Sequence, residues 1–464
     1  MNNRILIIGN GFDLHLGLKS TFSDFVKSFF PYSNKYINDF YLNDYKTLFN
    51  DYSPIKINFV IRDTIIKSFS KDTKDNNSLD LDINLIKLLK NVSNDSNFWI
   101  FYLLLNKYFF NNSIENWEDI ESSIGIFSKS LNDYVCEMDN IIHFIEFFII
   151  GDMDKVSNDK IEDFYRDGEM YISHTQLDKN EFIKYGLLIS YICHNSSSFL
   201  DILKNKYNEY KENNGKTLNN HEEKQLRKTI FEYLLKELNK FEKSFNSYMN
   251  NELLSYNKSN NQTYSKSSKK LLNKLLKGSS NWHVINFNYT DLSFQNNKDG
   301  ITNIHGVLVP DKQFKDKNNS LIIGIDGDNI DMDSIEYEFT KTFRVITSRR
   351  NLNNNFPFID LVNEVAFYGH SFSSADYSYF RSIFDRYDLE DDKLKIILFY
   401  STYKVNDKTI SDEEAAKDIL IKASGMINRY ANEHRHSFDN FHNHQGDELL
   451  KELMLNGKIE MIKI

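Results

Sequence analysis

The sequence predicts an α/β fold in which a mostly parallel sheet is assembled from both chain ends, with a large α-helical insertion between them. Residues 4–8 form a compact apolar strand, and a glycine-rich turn follows it directly. Residues 35–280 read as long helices separated by polar loops. Strands return after residue 280 and then alternate with helical stretches, which is typical of a parallel sheet with helices on both faces.

The domain boundaries follow from the first strand, because no candidate for a parallel partner occurs before residue 280. We therefore expect residues 1–34 to form the first part of one nucleotide-binding domain. Residues 281–464 are expected to form the remainder of that domain. Residues 35–280 are the predicted helical insertion domain.

Helical spacing of apolar side chains marks the predicted helices. It predicts one helix over residues 13–30 and a long helix over residues 221–256, whose apolar stripe is expected to face a core. A polar loop and a short basic helix are predicted over residues 256–280. The apolar segments 98–110 and 141–151 are interpreted as core helices, because both are shorter than the roughly 20 residues that span a bilayer.

The C-terminal part of the chain carries the remaining predicted elements. The predicted strands contain, in chain order, HVINFNY, LIIGID, EVAFYGHS, KLKIILFYST and KIEMIKI. Helical stretches are predicted after residue 371 and over residues 412–429 and 447–455.

Composition and charge narrow the class of protein. The chain has 464 residues, a formal net charge of −10 and a pI near 5.7, which argues against nucleic acid as a partner, since nucleic-acid-binding proteins concentrate positive charge. The two cysteines, Cys136 and Cys193, are too few for a four-cysteine zinc module or a disulfide framework. The apolar start of the chain is too short for a signal peptide. We therefore expect a cytoplasmic protein without a membrane partner.

Four predicted strand ends carry unusual residues, and in an open parallel sheet ligands bind outside the carboxyl ends of the strands. The first end, GNGFD at residues 9–13, has two glycines that let the backbone approach a pyrophosphate. Leu14 stands where the dinucleotide fingerprint has a third glycine. Asp13 either caps the following helix or binds a ribose. The other three ends are NFNYTD (286–291), IHG (304–306) and YGHSFSSAD (368–376).

These segments, together with NWEDIE (116–121) and GID (324–326), resemble the AbiH family of bacterial abortive-infection proteins and occur in the order that the family shows. The pattern in turn resembles the sirtuin-like NAD-binding domains of phage-defence NADases, which implies a Rossmann-like sheet. The nucleotide-binding residues that the resemblance implies are Gly9, Asn10, Gly11, Phe12, Asp13, Gly17, Thr290, Asp291, Gly369, His370, Ser371 and Asp376.

The resemblance also implies a reaction. Asn288 is expected to position the ribose and a water molecule, and His305 is expected to act as the general base, since imidazole titrates near neutral pH. Thr290 stands where a sirtuin has an aspartate that contacts nicotinamide, and Asp291 follows it. The missing cysteine cluster removes the zinc module of the protein deacylases. The expected reaction is therefore hydrolysis of NAD to nicotinamide and ADP-ribose, with no metal and no cofactor beyond NAD as the substrate.

Three further features have more than one interpretation. In NWEDIE, Asp119 and Glu121 either interact with a helix dipole or lie, with Trp117, over the nucleotide. His370 is expected to form a hydrogen bond within its turn rather than to act as a base. A solvated loop is favoured over a metal site for the histidines near the C-terminus, which are His434, His436, His442 and His444.

The predicted function is that of an anti-phage effector that binds NAD or a related nucleotide and responds to an unknown phage trigger. Whether the chain forms a homo-oligomer stays open. One alternative is a nucleotide sensor without catalysis, which the threonine at position 290 favours. A second alternative is a nuclease in which Asp119, Glu121 and Asp376 hold a divalent metal ion.

Overall fold

The structure is a computed structural model. It describes residues 2–28, 98–100, 102–103, 117–135, 205, 212, 220–292, 300–314, 321–327, 330–348, 361–372, 374–389, 393–405, 408–438 and 447–464.

A six-stranded parallel sheet forms the centre of the described structure. Its strands are β1 (Asn2–Ile8), β2 (Ser279–Asn286), β3 (Ile301–Asn303), β4 (Glu364–Tyr368), β5 (Lys395–Tyr400) and β8 (Ile459–Lys463). They lie in the order β3-β2-β1-β4-β5-β8, and every neighbouring pair is parallel. The first strand therefore lies between strands that come from residues after 278, and the predicted assembly of the sheet from both chain ends is confirmed.

Nine α-helices with described bounds accompany the sheet. They are α1 (Gly11–His15), α2 (Phe22–Ser28), α3 (Trp117–Val135), α4 (Asn220–Ser259), α5 (Tyr264–Leu275), α6 (Lys341–Ser348), α7 (Tyr377–Tyr387), α8 (Asp412–Phe438) and α9 (Asp447–Leu455). Short 3-10 turns occur at Asp311–Gln313, Ile335–Phe339 and Ser374–Asp376. A small antiparallel pair, β6 (Tyr403–Val405) and β7 (Lys408–Ile410), was absent from the sequence prediction.

Helices cover both faces of the sheet, because alternate side chains of a strand point to opposite faces. Ile5 and Ile7 of β1 belong to a buried cluster with residues of α7, α8 and α9. Leu6 and Ile8 belong to a second cluster with Phe12 and residues of α5. The apolar run of β1 is therefore a strand buried on both faces, which is typical of parallel sheets.

The long predicted helix over residues 221–256 is confirmed by α4, and its apolar stripe is buried as expected. The short basic helix is confirmed by α5. Residues 98–100 and 102–103 of the predicted core helix are helical and buried, whereas the predicted helix over residues 141–151 lies outside the described residues. The domain boundary at residue 35 also lies outside them, so the domain division stays a prediction.

Three predictions about local structure are wrong. The single helix over residues 13–30 is two helices, because Gly17 adopts a positive φ of 87° that ends α1 after a single turn. The predicted strand LIIGID makes only isolated bridges through Leu321 and Ile325, so it adds no strand to the sheet. α8 continues to Phe438, so His434 and His436 are helical instead of lying in a loop, and His442 and His444 lie outside the described residues.

No helix in the described part of the chain is long and apolar enough to cross a membrane.

Candidate active site

The predicted site residues follow strands that end at the same level of the sheet. Ile8, the last residue of β1, pairs with Asn286 on β2 and with Tyr368 on β4, and Asn286 pairs with Asn303 on β3. The loops that follow these four strands therefore meet at one edge, which we call the carboxyl edge. β2 and β3 are added on one side of β1, whereas β4, β5 and β8 are added on the other side. The order therefore changes direction between β1 and β4, and open α/β sheets form a ligand crevice at such a position.

Two of these loops pack backbone against backbone through glycines. A β-carbon on Gly11 would lie 2.5 Å from the Cα of Gly369, and a β-carbon on Gly9 would lie 2.6 Å from the Cα of His370. Gly369 itself has a positive φ of 65°, which favours glycine. The contact between the two loops, without any ligand, already requires glycine at these positions.

The same contact uses amide groups that the sequence assigns to a pyrophosphate. The N–H of Gly11 donates to the Gly369 carbonyl at 2.7 Å, and the N–H of Phe12 donates to the Gly9 carbonyl at 2.9 Å. The Phe12 side chain is fully buried in the core. The Gly11 amide is therefore available to a phosphate only after the two loops separate, whereas the Phe12 amide is bonded within its own loop.

Asn10 and Gly17 have structural roles in the same segment. The Asn10 side chain accepts a hydrogen bond from the Ser20 hydroxyl at 2.5 Å and donates to the Ser20 carbonyl at 3.3 Å. Gly17 lies in the exposed turn after α1, where its positive φ is the requirement and an added β-carbon would meet nothing within 4 Å. These contacts shape the loop that follows β1.

Asp13 is buried and is 1% exposed. Its carboxylate accepts hydrogen bonds from the Tyr264 hydroxyl and from the Thr290 hydroxyl, the latter at 3.0 Å. The N-cap residue of α1 is Asn10, which makes no side-chain cap hydrogen bond. Burial raises the pKa of Asp13 to about 7, although the hydrogen bonds from Tyr264 and Thr290 oppose that rise. Of the two roles predicted for Asp13, capping and ribose binding, the geometry shows neither; its carboxylate joins three parts of the chain.

The loop after β2 is organised by Asn286. Its side-chain oxygen accepts the N–H of Asn288 at 3.0 Å, and its amide donates to the Thr290 carbonyl at 3.0 Å and to Asn303 Oδ1 at 2.7 Å. Asn288 is 3% exposed, and its Nδ2 has no hydrogen-bond partner among the described residues. Buried amide donors are almost always paired, so this group marks a place where a ligand or water is expected.

His305 lies close to the same loop. Its ring centroid is 5.4 Å from that of Phe287 and 6.4 Å from that of Tyr289, the two residues that flank Asn288. Its Nε2 lies 3.3 Å from Asp376 Oδ1, without the alignment of a good hydrogen bond. Burial lowers the pKa of His305 to about 4, and the positive charge of Lys341 lowers it further against the effect of Asp376. The imidazole is therefore neutral at pH 7.

His370 forms the expected hydrogen bond within its turn. Its Nδ1 accepts the N–H of Phe372 at 2.9 Å. A histidine ring that accepts a hydrogen bond on Nδ1 carries a proton on Nε2, and this nitrogen of His370 lies 3.5 Å from Asp376 Oδ2. Both oxygens of Asp376 thus face protein groups, and the side chain organises the site from within.

Lys341 lies at the centre of this buried cluster. Its ammonium contacts Asp376 Oδ1 at 2.6 Å, Glu121 at 2.9 Å and the Ala375 carbonyl at 3.2 Å. Burial raises the pKa of Glu121 to about 8, since it outweighs the attraction of Lys341. Burial alone would also raise the pKa of Asp376, but Lys341 and then His305 hold it well below its usual range.

α3 begins at the carboxyl edge and supplies Glu121. The Trp117 indole donates to the Ser20 carbonyl at 3.0 Å, and Glu118 accepts the N–H of Ser374 at 3.3 Å. Glu118 and Asp119 lie in the first turn of α3, as the helix-dipole interpretation expects, and the placement of Trp117 and one carboxylate over a nucleotide stays a prediction. The carboxylate of Glu121 contacts the Lys341 ammonium.

Two of the three remaining predicted residues lie at the surface of this edge. Ser371 and Asp291 are both exposed. Thr290 is fully buried and directs its hydroxyl to Asp13. Among the residues that the structure describes, no three His, Cys, Asp or Glu side chains are arranged to hold a metal ion.

The sequence prediction missed Lys341, Asn286 and Tyr264, which organise the site. Lys341 is a buried cation on α6, and Arg344, another buried cation, lies three residues further along the helix. Two cations at this spacing within an apolar segment were the one feature of the sequence that could have indicated Lys341. Asn286 lies within the NFNYTD segment, two residues before Asn288, the residue that the sequence prediction selected. Tyr264 is preceded by a long polar run that concealed the start of α5.

The fold and the site define the class of protein. It is an α/β protein with a buried cluster of ionisable groups at the carboxyl edge of its sheet. A family model described as bacteriophage abortive infection AbiH matches residues 5–400. The match covers most of the chain, and the protein therefore belongs to the AbiH family of bacteriophage abortive infection proteins. No curated protein and no solved structure matches the chain.

Proposed function

We propose that this AbiH protein acts in anti-phage defence by hydrolysing NAD to nicotinamide and ADP-ribose at the carboxyl edge. Membership in the family implies a role in abortive infection, and the reaction is our inference. The observation that carries the inference is the unpaired buried amide of Asn288 close to a neutral imidazole, His305, which faces an ionised carboxylate.

The strand order supports a Rossmann-like and sirtuin-like interpretation of the sheet. The order β3-β2-β1-β4-β5-β8 is the order 3-2-1-4-5-6 of dinucleotide-binding Rossmann folds when the sheet strands are numbered along the chain. In those folds the dinucleotide lies across the crevice at which the order reverses. We place the NAD pyrophosphate at the loop after β1 and the nicotinamide ribose near Asn288.

The roles in the reaction follow from the donors and acceptors present. Asn288 would donate its free amide N–H to the ribose or to the attacking water. His305 would take a proton from that water on Nδ1, while the Nε2–H faces Asp376, which stabilises the imidazolium that forms. The bond between ribose C1′ and nicotinamide breaks, and its electron pair neutralises the pyridinium nitrogen. The products are nicotinamide, ADP-ribose and one proton, which His305 passes to solvent.

The closed loops set a condition on this proposal. The amide of Gly11 donates to the Gly369 carbonyl, so pyrophosphate binding to this amide requires the loop after β1 to separate from Gly369. Ser371 and Asp291, which are exposed at this edge, would contact the ligand once the loops open. Gly17 would act only through the turn that orients α1.

The same closed loops favour a second candidate function, a nucleotide sensor without catalysis. In that case ligand binding would open the contact between Gly11 and Gly369 and change the conformation of the protein. The low pKa of His305 makes it a weak base in the closed form, which agrees with a sensor. The two functions differ in whether nicotinamide is released.

The test is to incubate the purified protein with NAD and to measure nicotinamide and ADP-ribose by chromatography. We expect His305→Ala and Asn288→Ala to lower turnover at least about 100-fold and to retain NAD binding, since loss of a general base typically costs 10²- to 10⁴-fold. His283→Ala is the matched control, because His283 is also buried with a pKa of about 4 but lies within β2, where its Nε2 is 2.9 Å from Thr302. NAD cleavage at the native rate by folded His305→Ala would refute the mechanism, and NAD binding without release of nicotinamide would favour the sensor.

A further inference from the structure

Lys341 is the first residue of α6 and is 1% exposed. Its ammonium has three protein partners, the carboxylates of Glu121 and Asp376 and the carbonyl of Ala375. A buried ammonium is costly unless it is fully paired. The chain therefore places this cation at the carboxyl edge with a complete set of partners.

We infer that Lys341 is a positioning residue of the proposed NAD-cleaving site, which holds the Asp376 carboxylate against His305 Nε2 and leaves Nδ1 to accept a proton. The inference rests on the proposed function for its role in catalysis. The effect of Lys341 on His305 through Asp376 does not depend on which substrate binds. The geometric basis is one shared oxygen, Asp376 Oδ1, which lies 2.6 Å from Lys341 Nζ and 3.3 Å from His305 Nε2.

The count of charges explains why Asp376 holds the negative charge. One ammonium faces two carboxyl groups, so only one of them is neutralised when both are ionised. Asp376 also faces His305 and His370, whereas Glu121 has Lys341 as its main partner and Glu118 as a nearby like charge. The proton therefore stays on Glu121, and the carboxylate of Asp376 stays ionised.

The other ionisable groups around Asp376 and His305 leave the negative charge on Asp376. They are Glu118 and Glu121 on α3, Tyr289 after β2, His370 after β4 and Tyr379 on α7. Burial holds the pKa of Tyr289 well above its usual value, so this phenol is neutral at pH 7. His370 accepts a hydrogen bond from the N–H of Phe372 on Nδ1, so its Nε2 is the nitrogen that faces Asp376.

An ionised Asp376 determines the tautomer of His305. A carboxylate can only accept a hydrogen bond, so the His305 nitrogen that faces it is favoured as N–H. Nδ1 then keeps the lone pair that the reaction needs. Without Lys341, the affinity of Asp376 for a proton rises. The Nε2–H tautomer of His305 is then less strongly favoured.

The experiment is nitrogen NMR of protein with ¹⁵N-labelled histidine, in which the His305 signals are assigned through His305→Ala. In the wild type we expect the Nε2–H tautomer at pH 7 and a ring that stays neutral down to about pH 4. In Lys341→Met the loss of the positive charge should raise the pKa of His305 by at least about one pH unit, a tenfold gain in proton affinity. Lys341→Gln, which keeps a hydrogen-bond donor without a charge, serves if the methionine variant does not fold.

Arg344→Met is the matched control. Arg344 lies one helical turn along α6 and forms a buried pair with Glu242 at 2.6 Å, so its loss carries a similar cost in stability. It has no contact with Asp376 in the described contacts of this cluster, and the His305 signals should keep their titration. An unchanged titration and tautomer of His305 in a folded Lys341 variant would overturn the inference.

Enzyme kinetics separate the inference from the proposed function. If the wild type cleaves NAD, Lys341→Met should lower kcat with little change in KM and should move the acid limb of the pH–rate profile to higher pH, because the pKa of the general base His305 rises. If the wild type releases no nicotinamide, the proposed function fails, while the NMR titration of His305 still supports or overturns the role of Lys341.

Discussion

Asp13 and Asp376 are both buried at the carboxyl edge, but their environments differ in one decisive group. Asp376 contacts the Lys341 ammonium at 2.6 Å, and its pKa lies well below the usual range. Asp13 contacts the hydroxyls of Tyr264 and Thr290, and its pKa rises to about 7. Hydrogen bonds from neutral hydroxyls therefore do not lower the pKa of a buried carboxyl group as far as a buried cation does.

This difference divides the carboxyl edge into two parts. The part around Asp376 contains the fixed charges of Asp376 and Lys341, and it is suited to stabilise charge that develops during a reaction. The part around Asp13 contains a carboxyl group close to its titration point, and it joins α1, the start of α5 and the loop after β2. We therefore place the proposed catalysis around Asp376, and we propose that Asp13 has a structural role in holding the edge together.

The largest expected effect is the loss of stability when the cation is removed. Lys341→Met leaves Asp376 as a buried anion without its main partner, and breaking a buried ion pair in this way typically costs about 3–5 kcal/mol. Urea unfolding at pH 7 would measure the change in the free energy of unfolding. A loss below about 1 kcal/mol would show that solvent already reaches Asp376.

A second effect, a dependence of stability on pH, is expected at Asp13. Its pKa is raised on folding, so folding favours the protonated form, and the stability that this gives is lost as the pH rises from about 4 to about 7. The contribution falls by about 1.4 kcal/mol for each pH unit in that window. Asp13→Asn removes the titrating group, and its unfolding free energy should lack this slope.

Tyr264→Phe is the control for that measurement. It removes the hydroxyl that donates to Asp13 but keeps the buried carboxyl group, so the slope should remain while stability falls by about 1 kcal/mol for the lost hydrogen bond. Parallel stability curves for wild type and Asp13→Asn between pH 4 and 7 would contradict the assignment.

The sheet and the long helices were predictable because they depend on local patterns. β1 is a continuous apolar run, and α4 repeats apolar residues every three or four positions, so both were recognised from sequence. The break after α1 was missed because it depends on one glycine, Gly17, within a segment that otherwise keeps helical spacing. LIIGID was misread because a short apolar run has the same appearance in a strand and in a buried loop.

The strand-end residues of the site were predictable, whereas the partners of its carboxylates were not. The motifs after β1, β2, β3 and β4 occur in chain order, and parallel strands bring their ends together. Lys341 is 220 residues from Glu121, and Tyr264 is 251 residues from Asp13. No local pattern relates such residues, and the choice between an ionised and a protonated carboxyl group depends on these long-range contacts.

The most direct test of the account is carbon NMR of protein with aspartate labelled at ¹³Cγ, in which the two signals are assigned through Asp13→Asn and Asp376→Asn. We expect the Asp376 signal to have the chemical shift of a carboxylate at pH 5 and the Asp13 signal to titrate with a midpoint at about 7. An Asp376 that is protonated at pH 5, or an Asp13 that is fully ionised there, would contradict the division of the carboxyl edge into a charged part and a titrating part.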